Sequence, residues 1–225
     1  MKKALLFCLT ILMLVVFWGG GWSEAEEGTL FDQAMEARGR GKDGEALKIL
    51  EQCVEEGVEV HRAYFKMGQI LMEQGKYRRA FSVSEKAIKA YEEYLEVHPE
   101  DHRAWWELAY IYENRSAYTK EWDKAQEALE KALDLSSSNS LYLLHLGWVC
   151  WMKGDNEKAE STFRKILDKN PDDFWAHRYL VEILIEEGRE KEAKEELAFM
   201  LERSSEGEMA YNWAEERLKE LKGAS

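Results

Sequence analysis

The chain has 225 residues, 45% of them hydrophobic and 12% aromatic, with a formal net charge of -13; it can bury a substantial core within the size of one domain. The acidic balance excludes a sequence-independent hold on nucleic acid, which needs basic clusters facing phosphate. Two prolines, both after helical stretches, favour an all-α chain, and three cysteines are too few for a disulfide framework.

Residues 1–25 carry Lys2 and Lys3, an apolar run from Ala4 to Trp18, and a small-x-small end at Ser23-Glu24-Ala25. This is the pattern of a secretory signal. The stretch from Ala4 to Trp22 also approaches the roughly 20 residues that span a bilayer, with Trp18 and Trp22 placed for its interface. A cleaved signal peptide and an uncleaved signal anchor therefore both remain open. With cleavage the rest is expected to be periplasmic or secreted; without it, membrane-anchored through this segment and facing outward.

From residue 27 onward, apolar residues recur at helical spacing in successive units. Residues 27–60 place Leu30, Ala34 and Ala37 on one stripe and Ala46, Leu50 and Cys53 on a second, with Gln33 at a core position and a glycine-rich turn. Residues 61–101 offer Tyr64, Met67, Gly68 and Leu71, then Ala80, Ser84 and Ala87. This unit is seven residues longer than the 34 of the first, close to two helical turns, so Ile88, Tyr91, Tyr94 and Leu95 can extend the second helix in phase. Residues 102–139 carry Trp105, Leu108, Ala109 and Tyr112, then Ala125, Leu129 and Ala132, with four extra residues in a predicted loop across 114–123.

Residues 140–173 are the most regular unit. Leu143, Leu146, Gly147 and Cys150 share a face, and Ala159, Phe163 and Ile166 form the matching stripe on a second segment. Two helices each apolar on one side must cover each other, and Gly147 and Ala159 lack bulk where they would cross. Gly154 can end the first helix in a left-handed conformation, Asp155 can cap the second, and Asn170-Pro171 stops it. Residues 174–207 repeat the pattern with Leu180, Val181 and Leu184, then Ala193, Leu197 and Met200. A tail helix over 208–222, with Ala210, Ala214, Leu218 and Leu221 on one side, suits a solvating cap. Cys53 and Cys150 read as buried thiols on separate core stripes, and Cys8 lies in the N-terminal apolar run.

The order Leu143, Leu146, Gly147, Cys150, Ala159, Phe163, Pro171 resembles the spacing of the tetratricopeptide repeat. The resemblance extends from 27 to 222, and it implies an all-α, TPR-type helical-hairpin solenoid of about five repeats plus a C-terminal capping helix. In that family a second row on each first helix, at repeat positions 2, 5, 9 and 12, faces a concave groove where partners bind. Carried onto this chain, the implied partner-binding residues are Arg62, Phe65, Arg103, Trp106, Tyr110, Trp148, Trp151, Trp175 and Arg178. For Trp148 and Trp151 the rival reading is ordinary core between repeats, since adjacent first helices pack against one another. The lysine and asparagine set with which TPR adaptors clamp a terminal carboxylate does not stand at these positions.

Other patterns carry no chemistry. Gly39-Arg40-Gly41-Lys42-Asp43-Gly44 spells a dinucleotide fingerprint but follows a helix rather than a strand, so it reads as a turn. His98 and His102 are separated by the helix-breaking Pro99, which argues against a shared metal. Asn114-Arg115-Ser116 matches a glycosylation sequon. No nucleophile, nucleotide or metal motif is evident. The expected function is a non-catalytic scaffold or adaptor for a peptide or protein segment in the cell envelope, without cofactor. The alternatives are a binder of a small molecule such as a glycan or lipid, and a self-assembling structural protein.

Overall fold

The computed structural model describes residues 28–223; the signal or anchor expected at 1–25 lies outside them. Among the described residues the regular structure is helical: α1 Leu30–Gly39, α2 Asp43–Glu56, α3 Val60–Glu73, α4 Tyr77–Val97, α5 His102–Thr119, α6 Trp122–Leu135, α7 Ser140–Met152, α8 Asn156–Leu167, α9 Phe174–Glu186, α10 Glu190–Arg203 and α11 Met209–Gly223. Consecutive helices pair into five hairpins, each packing on the next, and α11 closes the stack against α10. The first helices of neighbouring hairpins also meet, α5 with α7 and α7 with α9.

Local sequence explains the boundaries. Thr29 and Asp32 form a reciprocal capping box at the start of α1, and Asp101, Asn139, Asp155 and Asp173 cap α5, α7, α8 and α9 through their side chains. Gly154, at φ 85°, turns the chain between α7 and α8 as its position requires. The surplus of the second unit does lengthen α4, whose Ala87, Tyr91 and Leu95 are buried. Tyr91 reaches across to give its hydroxyl to Glu107 Oε2 at 2.7 Å.

Two expectations need correction. The four extra residues of the third unit do not form a loop from 114; they extend α5 to Thr119. No breaker interrupts that stretch, Ser116 Oγ donates to Tyr112 O at 2.7 Å, and the Arg115 guanidinium lies 4.2 Å from the Phe81 ring centroid. The helix ends at Lys120, held at φ 60°. Gln33 is exposed rather than in the core and donates to Gly28 O at 3.2 Å. Phe31 is buried instead, beneath Arg62, whose guanidinium carbon sits 4.4 Å from its ring centroid.

Equivalent glycines in two repeats serve opposite ends. A Cβ on Gly147 would lie 2.6 Å from Phe163 Cε1, so this glycine makes room for the ring of the following helix, not for a backbone crossing at Ala159. At Gly68 a Cβ would meet nothing within 4 Å. The residue that should fill that space is Ser84, where the other repeats have Leu50, Leu129, Phe163 and Leu197. Small residues on both sides leave a largely apolar cavity of about 170 Å³ between α3, α4 and α5.

Gly147→Ala should therefore lose about 1–3 kcal/mol by overpacking. Gly68→Ala should gain up to about 1 kcal/mol from helix propensity. Urea unfolding of the two variants checks the opposite signs.

His177 gives a pH dependence. Its Nδ1 lies 2.8 Å from Glu196 Oε1 and its Nε2 2.8 Å from Pro171 O, so only the imidazolium can donate to both acceptors. Burial alone would lower its pKa, but the Glu196 and Pro171 contacts outweigh burial and hold it above the ordinary histidine value. The folded state thus binds this proton more tightly. Stability from it is full below the unfolded pKa of about 6.5 and fades as pH rises through the raised folded value. His177→Gln should flatten that part of the stability profile, and an NMR titration at or below the ordinary value would refute the assignment.

Candidate functional site

The implied row lies on α1, α3, α5, α7 and α9, and contacts at separations of 32 to 35 residues tie neighbouring elements together beside it. Arg38 Nη2 meets Glu73 Oε1 at 2.5 Å, and His145 Nδ1 meets Glu113 Oε2 at 2.8 Å. Trp151 Nε1 donates to Glu186 Oε2 at 2.7 Å, and Arg217 Nη2 of α11 donates to Glu182 Oε2 at 2.6 Å. These bonds fix the spacing of the helices that carry the aromatic side chains.

The implied site residues fall along this side in different states. Trp106 and Tyr110 are half-buried and pack together with a centroid separation of 6.1 Å; Trp106 also stacks on Tyr142 at 6.0 Å. Trp148 is half-buried with its ring edge-on to Trp122 at 5.3 Å. Trp151 is half-buried beside Tyr179 at 5.9 Å. Both tryptophans are therefore partly covered by core neighbours and partly exposed. Trp175 is 40% exposed, and Arg178 bridges it to Trp213 of α11, its guanidinium carbon 5.3 Å from one ring centroid and 5.9 Å from the other. Arg62 pairs with Glu59 at 2.5 Å, and Arg103 pairs with Glu107 at 3.2 Å.

Phe65 is different. It is only 3% exposed, because lengthened α4 brings Tyr91 over it. It packs edge-on against Tyr110 at 5.8 Å.

Two buried carboxylates face this region in unlike ways. Glu107 has both oxygens held, Oε2 by Tyr91 and Oε1 by Arg103. Glu113 has one oxygen on His145, while Oε1 has no hydrogen-bond partner among the described residues. Burial raises the pKa of Glu113, against the lowering influence of His145.

Tyr142, His145 and Tyr179 belong to the same wall, yet they stand outside the row at positions 2, 5, 9 and 12. His145 and Tyr179 both occupy position 6 of their repeats. Helical periodicity puts position 6 beside positions 2 and 9, so a wider stripe would have included them.

Elsewhere, the glycine-rich stretch ends α1 at Gly39, turns through 40–42 with Gly41 at φ 73°, and enters α2 at Asp43. His102 Nδ1 lies 2.8 Å from the Tyr142 hydroxyl, while His98 faces Glu100 at 3.9 Å. Among the described residues no group of three histidine, cysteine or acidic side chains could hold a metal ion, and no helix is long and apolar enough to cross a membrane. Cys53 and Cys150 are free and buried, and burial raises both thiol pKa values.

Three family models, each described as a tetratricopeptide repeat, match residues 61–99, 84–121 with 120–174, and 151–204, covering 61–204 without a gap. Similar solved structures include MamA 41-end from Desulfovibrio magneticus RS-1, at 22% identity and a TM-score of 0.61, covering 80% of this chain and 99% of that one. A thermophilic TPR protein of Thermus thermophilus, TTC0263, shares 17% identity at a TM-score of 0.57 over 85% and 96% of the two chains. YrrB, described as a TPR protein with an unusual peptide-binding site, shares 16% at 0.60 over 83% and 90%. At these identities the likeness is one of fold. No curated protein matches the chain in sequence.

Proposed function

The chain belongs to the tetratricopeptide-repeat family, and from that premise we propose that it is a non-catalytic adaptor holding a peptide segment of a partner protein in its concave groove. The observation that carries this reading is the continuous run of partly exposed aromatic side chains, from Trp106 and Tyr110 through Trp148 and Trp151 to Trp175. A helix apolar on two faces is either buried on both or holds something, and these rings are buried on one side only. Large aromatics and arginine also dominate binding hot spots. Arg62, Arg103 and Arg178 flank the run and supply donors to backbone carbonyls or carboxylates. The composition of residues 1–25 supports placing the adaptor in the cell envelope, tethered or released according to whether that segment is cut.

Selection of binders from a random peptide library, counter-screened against Trp148→Ala plus Trp151→Ala, tests the reading. Selected peptides should bind in the wild-type groove and lose about 2 kcal/mol, near thirtyfold, in a double variant of equal helicity. Unchanged affinity with reduced stability would make both tryptophans core residues. A concentration-independent monomeric mass would eliminate occupation of the groove by a second copy.

The cavity at Gly68 and Ser84 favours a second reading, a small apolar molecule lodged between α3, α4 and α5. Organic extraction of purified protein followed by mass spectrometry would reveal such a ligand. Ser84→Leu should expel it and raise stability by about 1 kcal/mol, as cavity filling does.

A further inference from the structure

One pocket in the groove has a composition that the general aromatic reading does not use. It is a space of about 240 Å³ where α5, α7 and α9 meet, walled by Tyr110, Trp148, Tyr179 and Leu144, with Glu113 and His145 in its lining. We propose, on the basis of the groove reading above, that this pocket is a subsite for a primary ammonium group, the side chain of a lysine in the bound segment.

The carboxylate of Glu113 supplies the charge for such a site. Glu113 is 5% exposed, its Oε2 engaged by His145, and its Oε1 without a partner among the described residues. A buried carboxylate oxygen left unpaired is costly, and a charged donor entering the pocket removes that cost. The nearby Glu107 shows the paired condition, with a donor on each oxygen. Burial chiefly raises the pKa of the Tyr179 hydroxyl, Arg178 opposes it and the Glu113 carboxylate adds to it.

The walls suit a cation. Three aromatic rings surround the space, and each is held from behind: Trp148 by Trp122 at 5.3 Å, Tyr179 by Phe163 at 5.3 Å and Tyr110 by Phe65 at 5.8 Å. Aromatic faces attract ammonium groups, most strongly where water is excluded. Leu144 and the ring faces provide apolar surface for a tetramethylene stem. Lysine fits better than arginine, because only one oxygen of Glu113 is free and a guanidinium fork presents parallel donors that need two. The net charge of -13 draws basic segments toward the surface.

The test titrates the full chain, labelled with 15N at tryptophan, with Nα-acetyl-lysine amide, and compares the arginine and norleucine amides. The lysine derivative should shift the Trp148 indole signal saturably and bind most tightly, with about tenfold loss for norleucine and for Glu113→Gln. The Gln variant keeps the shape and a hydrogen bond to His145, and equal helicity confirms its fold; Trp148→Leu should weaken binding independently. Equal affinity for norleucine, or binding unchanged in Glu113→Gln, overturns the proposal. Replacing lysine by norleucine in library-selected peptides separates the two readings. If groove binding persists undiminished, the lysine subsite fails while the groove stands; if acetyl-lysine amide binds and no peptide does, the groove reading fails alone.

Discussion

The structure depends on a packing constraint: a helical hairpin that is apolar on more than one face cannot close its own surface. Each hairpin here leaves apolar residues that only its neighbour can cover. Phe163 shows how tightly this is met. Its ring lies against Gly147 of its own hairpin and stacks on Tyr179 of the next at 5.3 Å, leaving it fully buried. Because each hairpin is covered by its neighbours, the buried residues fall into successive clusters along the chain rather than one centre.

That repetition holds the aromatic side chains on helices rather than on loops. Hydrogen bonds between first helices, such as Glu113 with His145 and Trp151 with Glu186, lie on the same side as the aromatic run. Polar and aromatic contacts thus fix one another's positions. The tryptophans are anchored by core contacts and remain partly exposed, so under the proposed function a bound segment would meet side chains that have little entropy left to lose.

Departures from the repeat length coincide with the features that distinguish this chain. The longer α4 carries Tyr91 to Glu107 and covers Phe65. The longer α5 supplies Arg115 to the cavity formed by Gly68 and Ser84, where its Nη1 donates to Ser84 Oγ at 3.1 Å. Each insertion is absorbed as helix, since added turns keep their apolar residues in phase with the neighbouring hairpin while a loop would expose them.

How much of this was legible in the sequence depends on the range of the interaction. Helix existence, the hairpin pairs, the turn at Gly154, the cap at Asp155 and the in-phase extension through Tyr91 rest on neighbours three to seven residues apart, and the sequence by itself determined them. The placement of Gln33, the helical state of 114–119 and the burial of Phe65 did not follow, because each turns on a side chain from another element: Arg62 over Phe31, Arg115 over Phe81, Tyr91 over Phe65. The aromatic row was readable from spacing, and a stripe one position wider would have taken in Tyr179 and His145. Arg103 lies one turn from Glu107, but only the tertiary structure decided that Tyr91 completes Glu107 and that Glu113 has His145 alone among the described residues, since those partners, 16 and 32 residues away, are fixed by the stacking of hairpins and not by local periodicity.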